Sequence, residues 1–160
     1  MRLMNDMETI NPIIRQAQPS DASELHRLNE LFNGKGCNSL ENIKEKLSSN
    51  TSETVCVAGD GEKLIGFCCS QIFKSFCYPI DYAEITELFV LDECRRHGVG
   101  KRLLSFMETE LKKHGVQHLH ILTFNNNIAA KALYNLCGYA DTSEMLLDKN
   151  FVDGETDGIN

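Results

Sequence analysis

The fold is decided by residues 83–104, "AEITELFVLDECRRHGVGKRLL". Residues 83–90 are rich in β-branched and apolar side chains and read as a strand. From Val99 to about His114, the residues Val99, Leu103, Met107 and Leu111 recur every four positions, the apolar stripe of an amphipathic helix. Gly115 ends that helix. Where the strand becomes the helix stand Gly98 and Gly100, with Arg95 and Arg96 ahead of them and Lys101 and Arg102 behind. A helix start carries unpaired backbone N–H groups and about half a positive charge, and anions collect there. The glycines bare that backbone and the basic residues add charge, which makes the stretch a candidate diphosphate cradle. A plain turn, with glycines for geometry and basic residues for solubility, fits these residues equally well.

The flanking sequence alternates strands and helices. "NPIIRQAQ" (11–18) reads as a strand and "PSDASELHRLNELF" as a helix, with Asp21 as cap and Glu24 three residues on. "NGKGCN" breaks it, and "SLENIKEKLSS" is a second, short helix. "ETVCVA" and "KLIGFCCSQI" are strands joined by the hairpin signal "GDGE". "FKSFCYPID" (73–81) is a loop. After the central helix, "VQHLHILTF" is a strand, "NNNIAAKALYNLCGY" a helix closed by Gly138, and "ADTSEMLLD" a last strand. Hairpins mixed with crossover helices predict an α+β fold around a mixed sheet.

The length of 160 residues predicts one domain, with residues 1–10 and 152–160 as flexible ends. A net charge of −7 speaks against a general nucleic-acid or anionic-membrane binder. No apolar run reaches the roughly 20 residues of a membrane helix, and residues 1–12 lack a signal-peptide core, so a cytoplasmic location is expected. Seven cysteines without CxxC spacing, and five histidines without HExxH, predict neither a disulfide framework nor a metal site. There is no GxxxxGK[ST] and no third glycine for GxGxxG, which disfavours the two familiar nucleotide motifs.

Residues Arg95-Arg96-His97-Gly98-Val99-Gly100 match the pattern Q/R-x-x-G-x-G/A. Downstream, Asn127, Ala130, Tyr134, Gly138 and Tyr139 match N-x-x-A-x-x-x-Y-x-x-x-G-F, with tyrosine at the final place. On these motifs and the element order over residues 13–148, the chain resembles the GCN5-related N-acetyltransferase (GNAT) superfamily. The resemblance implies a mostly antiparallel sheet of six to seven strands flanked by about four helices, with a splayed central strand pair formed by "AEITELFV" and "HLHILTF". It implies acetyl-CoA as co-substrate, its pyrophosphate on the turn Arg95, Arg96, His97, Gly98, Val99, Gly100 and Lys101, its pantetheine along Leu88, Phe89 and Val90, and contacts from Asn127 and Ala130. Asn127 is alternatively the cap of its helix.

An amine must lose a proton before it attacks a thioester, and a lysine-like amine has a reference pKa near 10.4. A carboxylate can take that proton. Glu84 and Glu87 are both candidates: "AEI" (83–85) resembles the start of this strand in histone-type members, which favours Glu84 as base, while a glutamate at the place of Glu87 resembles small-amine members. In a regular strand they face opposite ways, and a bulge would change the parity. By the resemblance, a strand N–H near Val90 faces the thioester oxygen, and Tyr134 is the general acid toward the leaving thiolate. The implied reaction is direct acetylation of a primary amine. Phe32, Phe76, Tyr78, Asp81 and Tyr82 are the expected substrate-site residues, and a small cationic molecule, aminoglycoside-like or polyamine, is the expected acceptor. A lysine or N-terminal peptide is the alternative. A non-catalytic acyl-CoA-binding module is the rival of another class, against which Tyr134 and the two glutamates stand. The resemblance also allows a homodimer through the C-terminal strand, which "EMLLDKNFV" would supply.

Overall fold

A computed structural model describes residues 11–49, 52–60 and 63–151. The expected flexible ends, and the tip of the "GDGE" hairpin at residues 61–62, lie outside the described residues.

Five strands form one sheet in the order β1 (Ile13–Gln16), β2 (Glu53–Gly59), β3 (Leu64–Phe73), β4 (Asp81–Val90), β5 (Val116–Ile121). The first four are mutually antiparallel and β5 runs parallel to β4. Parallel neighbours need a crossover, and here α3 (Val99–Lys113) supplies it. The other helices are α1 (Ala22–Asn33), α2 (Leu40–Ser49) and α4 (Ile128–Leu136).

The two sheet faces carry separate cores. The stripe of α3, namely Val99, Leu103, Leu104, Met107 and Leu111, packs on Cys56, Ala58, Cys68, Ala83 and Ile85. On the opposite face Leu25 and Leu28 of α1 pack on Val57, Phe67 and Phe89, with Ile43 and Leu47 of α2 at the margin. Cys56, Cys68, Cys69 and Cys94 are buried free thiols, as their small apolar character predicts. No helix among the described residues is long and apolar enough to cross a membrane.

Three expectations change. Among the described residues the sheet has five strands, not six to seven. Residues 140–151 form no strand and are exposed throughout. Met145, Leu146 and Leu147 stand in a row, so the segment offers no alternating face to bury, and a strand without a buried face has a weakly specified register. Asp21 does not cap α1. Its carboxylate is buried, accepts two bonds from Arg15 at 2.7 and 2.8 Å, and accepts the Gln18 N–H at 2.7 Å. Glu24 likewise turns to Arg27 and to the N–H of Leu64, at 3.1 Å, and so ties α1 to β3.

Candidate active site

The register of β3 and β4 contains one irregularity. Cys69 lies opposite Glu87 and Ser70 lies opposite Ile85, so Thr86 is the extra residue of a bulge. Ala83 and Ile85 before the bulge belong to the α3 core, and so do Leu88 and Val90 after it. The alternation therefore changes parity at Thr86. Glu84 and Glu87, three residues apart, both face the side of the sheet that α1 and α2 partly cover. Thr86 Oγ1 is buried with no hydrogen-bond partner among the described residues.

The same point is where β5 leaves β4. Pairing runs from Asp81–Val116 to Ile85–Ile121, and β4 continues to Val90 with β3 alone. Leu91 donates its N–H to Ile65 at 2.9 Å. Strand alternation then turns the polar backbone groups of Phe89 toward β3, and those of Leu88 and Val90 away from it, into the opened gap. This is the splayed pair that the resemblance implied. The Val90 carbonyl is taken by Arg95 Nε at 2.9 Å.

At the far end of the gap lies the glycine turn. Arg96 and Gly98 have left-handed backbones, at φ 67° and 78°. Arg102 donates the first helical bond of α3 to Gly98 at 3.0 Å, which leaves the N–H groups of Val99, Gly100 and Lys101 without a helical acceptor. No acidic residue sits in that first turn. The residues fit an anionic group, and the four basic side chains divide the work. Arg95 is fixed to Val90 and Asp92, and Arg102 to Asn11 and Pro12, so these two build the turn. Arg96 and Lys101 are exposed beside the bare N–H groups. His97 Nδ1 lies 2.7 Å from the Arg95 carbonyl. Gly100 has a different role from Gly98: a Cβ there would stand 3.1 Å from Leu133 Cδ2, so its smallness lets α4 approach α3.

Helix α4 carries Tyr134, which lines the cleft along β5. Asn127 caps the helix, its Oδ1 accepting the Ala130 N–H at 3.2 Å. At the other end Tyr139 N–H bonds the Tyr134 carbonyl and Gly138 N–H the Asn135 carbonyl, at 3.0 and 3.1 Å, a Schellman closure with Gly138 left-handed. Tyr134 packs against the α3 core and edge-on to Tyr139, whose hydroxyl donates to Glu108 at 2.8 Å. Burial first, then the Cys68 and Glu87 charges, push the Tyr134 hydroxyl above its ordinary value. It is therefore protonated at neutral pH.

Two concavities flank the gap. One, of about 260 Å³, lies between the sheet and α1–α2. Its floor is Leu25, Val55, Phe67 and Cys69, and its polar wall includes Asn29, Asn33, Asn38, Lys46, Glu53 and Glu87. Burial, and then the Glu53 charge, raise the Glu87 carboxyl above the ordinary carboxylate range. The other, an open cleft of about 1000 Å³ along β5 and α4, is lined by Glu84, His118, His120, Tyr134 and Tyr139 among others. Tyr82 stacks on Phe73 at 4.9 Å and lies 5.5 Å from His120.

The predicted substrate residues are scattered. Phe32 packs against Phe89 and Phe67 at 5.2 and 6.1 Å. Phe76 and Tyr78 lie on an exposed loop, at 102% and 68% exposure. Asp81 and Tyr82 begin β4. None of the five lines either concavity. Sequence reasoning missed Glu53 and the asparagines of the α1–α2 pocket. The α1 spacing Asn29–Asn33, one helical turn, was the available signal. Among the described residues no group of three or more His, Cys, Asp or Glu is placed to hold a metal ion.

A sequence model of the acetyltransferase (GNAT) family matches residues 20–139. An uncharacterized N-acetyltransferase of Chlorobaculum tepidum is 32% identical over 131 residues, covering 80% of this chain and 78% of its own. The [ribosomal protein bS18]-alanine N-acetyltransferase of Escherichia coli is 30% identical over 116 residues, covering 68% of this chain and 76% of its own. Among solved structures, an aminoglycoside acetyltransferase from an uncultured soil metagenomic sample, in complex with sisomicin, superposes with a TM-score of 0.76 at 19% identity, covering 88% of this chain and 96% of its own. AAC(6')-Iy in complex with a CoA bisubstrate analog superposes with a TM-score of 0.75 at 18% identity, covering 88% and 98%. The bulged, splayed strand and the glycine turn are thus those of a known group: the chain belongs to the acetyltransferase (GNAT) family and is an N-acetyltransferase with acetyl-CoA as co-substrate.

Proposed function

We propose that the protein transfers an acetyl group directly to a primary amine of a small cationic molecule, polyamine-like or aminoglycoside-like, with Glu87 receiving the amine proton. The observation that carries this reading is the Thr86 bulge, which turns Glu87 into the α1–α2 pocket beside the gap. Acetyl-CoA supplies an acyl thioester. The N–H groups of Val99, Gly100 and Lys101, with Arg96 and His97, hold its diphosphate, and the gap-facing backbone of Leu88 and Val90 aligns the arm that leads to the acyl group. Phe89 supports that backbone through the core.

An ammonium group enters the pocket and meets Glu87. Burial raises the proton affinity of that carboxyl, which narrows the gap to an amine that starts some six units higher. Tyr134, protonated and across the gap, donates to the leaving sulfur. A thiol has a reference pKa near 8.5, so the thiolate is a tolerable leaving group, and tyrosine contributes orientation as well as the proton. Glu84, in the β5 cleft beside His118 and His120, then serves acceptor binding and not proton removal. A volume of about 260 Å³ suits a small amine.

The relative that is a [ribosomal protein bS18]-alanine N-acetyltransferase favours a second reading, in which the acceptor is a peptide N-terminus. The open β5 cleft has room for such a chain. Incubation with acetyl-CoA and a panel of polyamines, aminoglycosides, amino acids and peptides, read by mass spectrometry, separates the two. Acetylated small amines are the expected result. Product from peptides alone refutes the small-amine reading.

A further inference from the structure

We infer that Glu53 is a positioning residue for the acetyl transfer, acting through Glu87 as the second carboxylate on the wall of the α1–α2 pocket. This rests on the reading of Glu87 as the group that receives the proton. The geometry comes from the strand register. Glu87 lies opposite Cys69, Cys69 lies opposite Val55, and Glu53 is two residues along β2 from Val55, on the same sheet face. Both glutamates line one small pocket, with buried Cys69 on the strand between them.

The other groups that face this pair can be named from each element around it. Burial raises the Glu53 carboxyl above its ordinary value, and the charge of Lys46, which helix α2 brings, works against that. Helix α1 brings Asn29 and Asn33, which carry no charge. Strand β3 brings the Cys69 thiol, which burial and then both glutamates hold well above its ordinary value, so it is neutral. Helix α4 brings the protonated Tyr134 hydroxyl. Among the described residues of the pocket lining, Lys46 is the cation that stands against the two carboxylates.

A like charge nearby makes a carboxylate hold a proton more tightly. When the acceptor ammonium gives its proton to Glu87, one N–H bond breaks, one O–H bond forms, and the electron pair stays on nitrogen for attack. Glu53, when ionised, makes that transfer less uphill without touching the reacting atoms. It also favours a cation in the pocket before the proton moves.

The test is a carboxyl-carbon NMR titration of protein labelled with 13C-glutamate, with Glu87 assigned through the Glu87→Gln spectrum and no acceptor present. In Glu53→Gln, the Glu87 midpoint is expected to fall by roughly half a unit to one unit, the effect of a like charge in a partly buried site. In Glu53→Asp it returns most of the way. The acidic limb of kcat against pH moves with it. In Glu87→Gln the Glu53 midpoint is expected to move less, because the carboxylate that titrates first does so while its neighbour is still protonated. An unmoved Glu87 midpoint in folded Glu53→Gln or Glu53→Ala overturns the proposal. Because the titration needs no acceptor, coupling can be confirmed or refuted even if every small amine fails as substrate.

Discussion

Changing Gly98 to alanine tests whether the glycine turn is built by backbone conformation or by space. Nothing lies within 4 Å of a Cβ at this position, so a methyl group there meets no atom. Its φ of 78°, however, is left-handed. A left-handed backbone costs an ordinary L-residue about 1–2 kcal/mol. In a chain of this size 1 kcal/mol lowers Tm by roughly 2–4 °C, so Gly98→Ala should melt about 2–8 °C below the parent. Asparagine tolerates the left-handed region better, and Gly98→Asn should recover part of the loss. Gly100→Ala is the contrast. Its Cβ meets Leu133 at 3.1 Å, yet alanine is favoured over glycine inside a helix by about 1 kcal/mol. The two effects oppose, and the net change in stability should be small. Circular dichroism is the suitable probe, since the chain has no tryptophan. A Gly98→Ala protein as stable as the parent, or less stable with asparagine than with alanine, refutes the conformational argument.

Removing the Asp21 charge in Asp21→Asn should cost about 1.5–3 kcal/mol at neutral pH, the range for hydrogen bonds to charged groups. The Arg15 hydrogen bonds hold the Asp21 carboxyl below its ordinary value. Its contribution is therefore present above the unfolded value near 3.9 and is lost as pH falls through that value toward the folded one. Urea denaturation of both proteins between pH 7 and 3 should show their difference closing below about pH 4. Thr86→Val replaces a buried, unpartnered hydroxyl with a methyl group and should raise stability by up to about 1 kcal/mol in the same assay. Tyr134→Phe should lower kcat by roughly ten- to a hundredfold while calorimetry shows acetyl-CoA affinity unchanged.

Local signals made most of the frame legible. The four-residue repeat of α3, the glycine stop at Gly115 and the hairpin strands β2 and β3 each follow from a short-range rule, and each element formed near its expected place. The last strand failed because its apolar residues are contiguous and not alternating, so nothing local fixes a face. The site was half legible. Glu84, Glu87 and Tyr134 stand out by residue type and spacing, but that Glu87 faces the α1–α2 side depends on one extra residue at Thr86, visible only in the pairing of β4 with β3. Glu53 was hidden for a similar reason. It lies 34 residues from Glu87 in the chain, and only two strand registers in succession bring them to one wall. The aromatic residues of the 73–82 stretch were chosen by type, which does not distinguish a cleft wall from an exposed loop, and Phe76 and Tyr78 are on the loop.

The most direct test of proton removal at the bulge compares acetyl transfer by the parent, Glu87→Gln and Glu84→Gln on the best acceptor, read as product mass, with acetyl-CoA binding measured alongside. The account predicts that Glu87→Gln loses roughly 10²- to 10⁴-fold in kcat with acetyl-CoA binding intact, while Glu84→Gln loses mainly acceptor affinity. Parent-like turnover by Glu87→Gln, or the large loss in kcat falling on Glu84→Gln, would contradict it.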